Sequence, residues 1–146
     1  CGYNMGDYFG HWLEMGHQTQ KHLLPKIFHV NWFRKSESGK FLWPGFGDNS
    51  RILKWIFERT EGEGKADKTP IGYVPAKDGL DLTGLNLSPE VLEDLLHVDP
   101  SEWIPEVIKM RTYFSQFGDK LPSGIADQQN QLESRLQACQ PSSSSS

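Results

Sequence analysis

The chain has 146 residues, a formal net charge of -4 and 36% hydrophobic residues, with a mean hydropathy of -0.57. That is one domain's worth of sequence, and its mild acidity speaks against a nucleic-acid partner, which needs a basic stripe. No apolar run reaches the length of a membrane span, residues 1–7 lack the basic n-region of a signal peptide, and two distant cysteines, Cys1 and Cys139, fit a reducing compartment better than a disulfide framework.

The chain opens at Cys1 inside a stretch dense in aromatics, Tyr3, Tyr8, Phe9 and Trp12. That opening suggests a piece of a longer protein. Tyr8, Phe9, Trp12, Leu13 and Met15 recur at helical spacing, and Gly16 is a candidate stop. Ile27 to Phe33 (IFHVNWF) is rich in β-branched and aromatic residues and reads as a buried strand after Pro25. Arg34 to Lys40 is a polar turn with Gly39, and Phe41 to Trp43 a second short strand, which makes a hairpin. Pro44 to Asn49 (PGFGDN) is a stiff loop. Ser50 to Thr60 places Ile52, Leu53, Ile56 and Phe57 on one helical face, with Asp48 or Asn49 as the N-cap.

Glu61 to Lys68 is a charged loop, and Thr69 to Val74 (TPIGYV) reads as a further strand. Ser88-Pro89 and Asp99-Pro100 are both cap-then-proline helix starts, and Glu102 is placed for a capping box. The helix after Asp99 presents Trp103, Val107 and Phe114, and a last helix carries Ile125, Leu132 and Leu136. The class is α/β, with early strands followed by helices. Residues 1–140 form the domain, and 141–146 end in a serine run expected to be disordered.

Several candidate sites fail on their chemistry. Gly62 to Lys65 (GEGK) lacks the spacing of a phosphate loop and the following Ser or Thr that would hold magnesium, so it reads as a solvated turn. His11, His17, His22, His29 and His97 show no metal-ligand spacing. Cys139 lacks a neighbouring histidine and reads as inert.

One window does stand out. Phe28, Trp32, Phe33, Phe41, Trp43 and Phe46 fall within nineteen residues of sequence. Such a cluster normally packs a core. However, Phe46 is mounted between Gly45 and Gly47 after Pro44, and glycines let backbone approach a ligand closely. The loop then enters a helix start, where unpaired N–H groups and the Asn49 amide can read polar edges. Flat aromatic faces beside an amide are what a nucleobase needs.

The segments GYNMGDYFGHWL (Gly2 to Leu13), LPKIFHVNWFRK (Leu24 to Lys35), FLWPGFGDNSRILKWIFER (Phe41 to Arg59) and TPIGYVP (Thr69 to Pro75) resemble the C-terminal region of GTP-dependent phosphoenolpyruvate carboxykinases. The likeness covers most of residues 2–75 closely and continues more loosely to about Leu136. It implies the C-terminal part of a nucleotide-binding domain. It also implies a guanine pocket in which Phe33 and Phe46 stack on the base, Phe41 closes the side, and Asn49 bonds the base edge with help from backbone between Phe46 and Asn49, including Gly47 and Asp48. Trp32 and Trp43 are expected to pack behind this pocket. Cys1 stands where the family usually has phenylalanine, and neither Cys1 nor Cys139 matches the family's reactive cysteine.

The resemblance further implies a whole enzyme that converts oxaloacetate and GTP to phosphoenolpyruvate, carbon dioxide and GDP, a step towards glucose synthesis. Its Mn2+ and Mg2+ ligands, phosphate loop and catalytic residues are expected upstream, so this piece supplies no catalytic or metal-binding residue and is expected to be inactive alone. The implied partners are guanine nucleotide, oxaloacetate and phosphoenolpyruvate, without nucleic acid or membrane, in a monomer of the cytosol or, as the second choice, the mitochondrial matrix. A stand-alone guanine-nucleotide-binding or interaction module is the alternative reading.

Overall fold

A computed structural model describes residues 2–140; the serine run and Cys1 lie outside them. Along the described chain run α1 (Met5–Gln18), α2 (Asn49–Glu61), β1 (Ala66–Thr69), β2 (Gly72–Pro75), α3 (Pro89–Leu96), α4 (Pro100–Ser115) and α5 (Ser123–Ala138). The described residues group into two compact units, one of residues 2–25 with 99–140 and one of residues 26–98. The architecture is helix-rich, with one small antiparallel sheet.

In the first unit the capping signals work as their chemistry requires. Asn4 Oδ1 accepts from the Gly6 N–H at 2.8 Å, and Asp99 Oδ1 accepts from Ser101 N–H at 2.8 Å, each satisfying an amide that the helix start leaves open. Helices α4 and α5 pack on each other. Val107 and Leu136 are buried between them, and Leu136 is 0% exposed, a burial worth about 1.5–3 kcal/mol. The expected stripes of Trp103, Val107 and Phe114 and of Ile125, Leu132 and Leu136 are both at least partly buried. The stripe on α5 also contains Gln129, which is buried and donates from Nε2 to the Val107 carbonyl at 3.2 Å. Phe9 of α1 meets Phe114 and Phe117 edge-on at 6.1 and 5.6 Å. Gly6 has a packing reason: a Cβ there would sit 2.4 Å from the Lys120 carbonyl oxygen. Helix α1 runs past Gly16 to Gln18, because nothing there demands a left-handed residue.

The second unit corrects two strand expectations. Residues 27–33 form no strand. They run as a strap without a ladder partner, turning at Trp32 and Phe33, and Phe28, Val30, Trp32 and Arg34 are part-buried while the odd-numbered neighbours are exposed. Ile27 is 92% exposed. Period-two burial survives here without a sheet because side-chain packing and two cationic ties hold the strap in place. Lys26 Nζ donates to the Arg59 and Thr60 carbonyls at 3.2 and 2.9 Å. Arg34 Nη1 donates to the carbonyls of Leu95 and His97 at 3.2 and 2.8 Å. Both cations cap helix C-termini, where carbonyls are left over and the dipole favours positive charge.

The second correction concerns Thr69 to Val74. Pro70 and Ile71 turn the chain, and the sheet is a hairpin pairing Ala66 with Pro75 through Thr69 with Gly72. Proline cannot donate to a ladder, so the strand breaks at Pro70, and the charged Ala66 to Thr69 segment becomes its other arm. The hairpin expected between Ile27–Phe33 and Phe41–Trp43 does not form; in its place a single bridge joins Lys35, from the expected turn, to Phe41.

The core of this unit centres on Trp55, whose indole donates to the Lys65 carbonyl at 2.8 Å and meets Phe28 edge-on at 6.0 Å. Gly62 is the left-handed C-cap of α2. The N–H groups of Glu63 and Gly64 both bond the Glu58 carbonyl. The glycine-rich GEGK stretch is therefore a helix stop in which the amides of Gly62, Glu63 and Gly64 are occupied by α2.

Candidate functional site

The aromatic window is built on the Lys35–Phe41 bridge and the turn that follows it. Asn31 Oδ1 accepts from the Phe33 N–H at 2.9 Å, a local side-chain turn. Ser36 N–H bonds the Lys40 carbonyl at 2.9 Å, and Leu42 N–H bonds the Arg34 carbonyl at 3.0 Å. These bonds bring Phe33 beside Phe41, with ring centroids 6.2 Å apart at 63°. Lys35 Nζ lies 4.9 Å from the Phe41 centroid, within cation–π range. Neither ring is core: Phe33 is 71% and Phe41 52% exposed.

Beyond Phe41 the chain dives inward and returns. Trp43 is 6% exposed. Gly45 has φ 124°, a backbone that L side chains rarely adopt, and this glycine reverses the chain after Pro44. Phe46–Asp48 then forms one 3-10 turn with Phe46 94% exposed. Asp48 N–H bonds the Gly45 carbonyl at 3.1 Å, and Asn49 N–H bonds the Phe46 carbonyl, so these two amides are used inside the turn. Gly47 is exposed, and Asp48 and Asn49 are part-buried.

The expected N-cap differs in detail. Asp48 holds the cap position of α2 without a side-chain cap bond. Its Oδ1 accepts from Arg51 Nε at 3.0 Å instead. Asn49 is the first residue of α2, and its Oδ1 accepts from Trp43 Nε1 at 2.9 Å. The carboxamide is therefore anchored from behind by a buried indole, and its two N–H donors are left for other partners. Trp43, expected only to pack behind the aromatic window, makes a bond that the spacing of six residues across a glycine turn does not advertise.

The structure thus brings Phe33 to Phe41 and couples Trp43 to Asn49. Phe46 makes no ring contact among the described residues. Arg51 also donates from Nη1 to the Asp81 carbonyl at 2.7 Å, and Lys54 donates to Asp81 Oδ2 at 3.1 Å. The Lys54 bond, followed by bonds from the Thr83 hydroxyl and N–H, lowers the Asp81 carboxyl to about 2. The same pairing with Asp81 raises Lys54. These contacts tie the start of α2, and with it Asn49, to the loop after Leu80.

A concavity of about 290 Å3 lies between the hairpin and α3, lined by Lys68, Thr69, Val74, Lys77, Glu93 and His97 among others. Lys77 is paired with Glu93 across it at 3.2 Å. Among the described residues no group of three or more His, Cys, Asp or Glu is placed to hold a metal. No helix among them is long and apolar enough to cross a membrane.

Comparison with known proteins agrees with the motifs. Residues 1–135 match the family model described as the phosphoenolpyruvate carboxykinase C-terminal P-loop domain. A protein of Neocallimastix frontalis named phosphoenolpyruvate carboxykinase [GTP] is 55% identical over 139 residues, 94% of this chain and 23% of that protein. Proteins of the same name from Chlamydia abortus and Paenarthrobacter aurescens are 53% and 45% identical, covering 93% and 92% of this chain and 23% and 22% of theirs. The chain spans less than a quarter of the length of these relatives. With a match running almost from end to end, the chain belongs to the GTP-dependent phosphoenolpyruvate carboxykinase family.

Proposed function

We propose that residues 33–49 form the guanine-binding pocket of a GTP-dependent phosphoenolpyruvate carboxykinase, and that residues 1–140 are the C-terminal part of its nucleotide-binding domain. In the whole protein, oxaloacetate loses carbon dioxide to leave an enolate. The enolate oxygen takes the γ-phosphoryl group of GTP, giving phosphoenolpyruvate and GDP. The names of the relatives support this reaction. This chain's share is recognition of the base.

The observation that carries the proposal is the exposed aromatic surface. Phe33, Phe41 and Phe46 are all more than half exposed on a segment otherwise held by backbone bonds. Rings that packed a core would be hidden, and large exposed apolar groups gathered in one segment mark a binding surface. Phe33 and Phe46 stack on the base and Phe41 closes its side. The backbone at Gly47 and Asp48 runs beside its edge, and the side-chain N–H groups of Asn49 bond its six-position carbonyl. The Mn2+ and Mg2+ implied for the whole enzyme find no fitting donor group among the described residues, so no step is assigned to them here.

Titration of the full-length protein with GDP, followed by tryptophan fluorescence, tests the proposal. Trp32 and Trp43 adjoin the pocket residues in sequence and report its occupancy. Saturable quenching that disappears in a Phe33→Ala, Phe46→Ala double variant is expected. Quenching that persists unchanged in that variant contradicts the assignment.

A further inference from the structure

We infer that Trp43 is a positioning residue for base selectivity: its indole N–H fixes the orientation of the Asn49 carboxamide and so decides which base edge the pocket accepts. The inference rests on the base-pocket reading above and deepens it.

A carboxamide is nearly symmetric in shape and opposite in chemistry at its two ends. Turned one way, Asn49 offers donors to the ligand. Turned the other way, it offers an acceptor. Guanine and hypoxanthine carry a carbonyl at ring position six, and adenine carries an amino group there. A freely turning amide therefore serves all three bases and selects none. Something on the protein side must hold it.

Trp43 Nε1 lies 2.9 Å from the side chain of Asn49. Indole N–H is a donor and never an acceptor, so the atom it faces must be the amide oxygen. Trp43 is 6% exposed, which denies its N–H an easy exchange to water. Flipping Asn49 would set the indole donor against the amide NH2 and leave a half-buried donor unpaired, a costly arrangement. The backbone adds to the constraint. Asn49 is the first residue of α2, with φ -60° and ψ -28° and its N–H bonded to the Phe46 carbonyl. The main chain, the amide oxygen and the indole are thus set together by the Gly45 reversal, and the N–H donors of Asn49 remain for the base.

The test uses the full-length protein with GTP, ITP and ATP as probes and reads the ratio of their dissociation constants. Trp43 is replaced by phenylalanine and, because that change also shrinks a buried ring, in a second protein by benzothienylalanine, which keeps the indole shape and substitutes sulfur for N–H. Both replacements are made with Asn49 intact and in an Asn49→Asp background. A carboxylate has two equivalent oxygens and needs no orientation.

With Asn49 intact, the GTP-over-ATP and ITP-over-ATP preferences fall roughly 3- to 10-fold, the factor that one neutral hydrogen bond carries. In the Asn49→Asp background, where an acceptor faces the base, the preference shifts towards ATP and the Trp43 replacement changes it no further. Equal weakening of all three nucleotides on Trp43 replacement, or the same fall in both backgrounds, reduces Trp43 to packing and overturns the inference. An unchanged ratio on Trp43 replacement, with a shifted ratio in Asn49→Asp, sinks the inference and leaves the base pocket standing. A ratio untouched by Asn49→Asp removes both.

Discussion

The Trp43 indole donates a 2.9 Å hydrogen bond to the amide oxygen of Asn49, joining a buried aromatic to the first residue of α2 across the Gly45 turn. Two properties follow from this one contact. The aromatic loop is registered against the helix, and the amide shows a fixed chemical face. Phe46, which lies between the two in sequence, is left almost wholly exposed. Rigid mounting with exposed rings is what the proposed base pocket requires.

Phe46→Ala separates affinity from stability. The ring is so exposed that its loss should leave the melting temperature nearly unchanged, since surface substitutions usually fall within about 0.5 kcal/mol. GTP and ATP binding should both weaken by about 1–3 kcal/mol, the scale of one base–aromatic stack. Calorimetric titration and melting curves on the same protein check the two halves. A lower melting temperature with unchanged binding would place the ring in the fold and not the site.

Leu136→Ala should do the reverse. The side chain is fully buried beneath α4, and truncation there costs about 2–5 kcal/mol. Ile108→Ala, at an exposed position of α4, should cost far less. Urea midpoints of the two variants provide the comparison, and similar losses would mean that α4 and α5 do not pack as described.

Asp81 sets an acid limit on the anchoring of α2. Its folded carboxyl sits at about 2, below the ordinary value near 3.9. A depressed carboxyl stabilises the folded state at pH above the unfolded value, and that contribution is lost as pH falls through the folded value. Unfolding midpoints should therefore decline between about pH 4 and pH 2, and Asp81→Asn should flatten that decline. The charge is exposed, so the effect should also shrink in high salt. An identical acid profile in the variant contradicts this role.

Much of the second half of the chain was legible in its sequence. Ser88, Asp99 and their prolines mark helix starts that the structure reproduces, because caps act locally and need no partner. The stripe ending at Leu136 was equally plain from its period. The strap from Ile27 to Phe33 was not. Its composition favours a strand, but the ladder partner that would make it one is a tertiary matter, and Lys26 and Arg34 hold it by capping distant helices instead. Pro70 hid a hairpin whose first arm, Ala66 to Thr69, is too polar to announce itself. At the proposed site, the motif and its glycines marked a loop whose rings the structure leaves exposed. The Trp43–Asn49 bond stayed hidden because one side chain's orientation depends on where another folds back.

Asn49→Ala in the full-length protein bears most directly on the central claim. On the proposed reading, loss of the amide removes the donor to the six-position carbonyl; it also frees the Trp43 indole, so melting curves must accompany the binding data. An unpaired polar group costs about 1–3 kcal/mol. GTP and ITP, which share that carbonyl, should lose affinity by about this amount while ATP changes little, so that the GTP-over-ATP preference narrows. Equal weakening of GTP and ATP at unchanged stability would show that the Asn49 amide does not read the base.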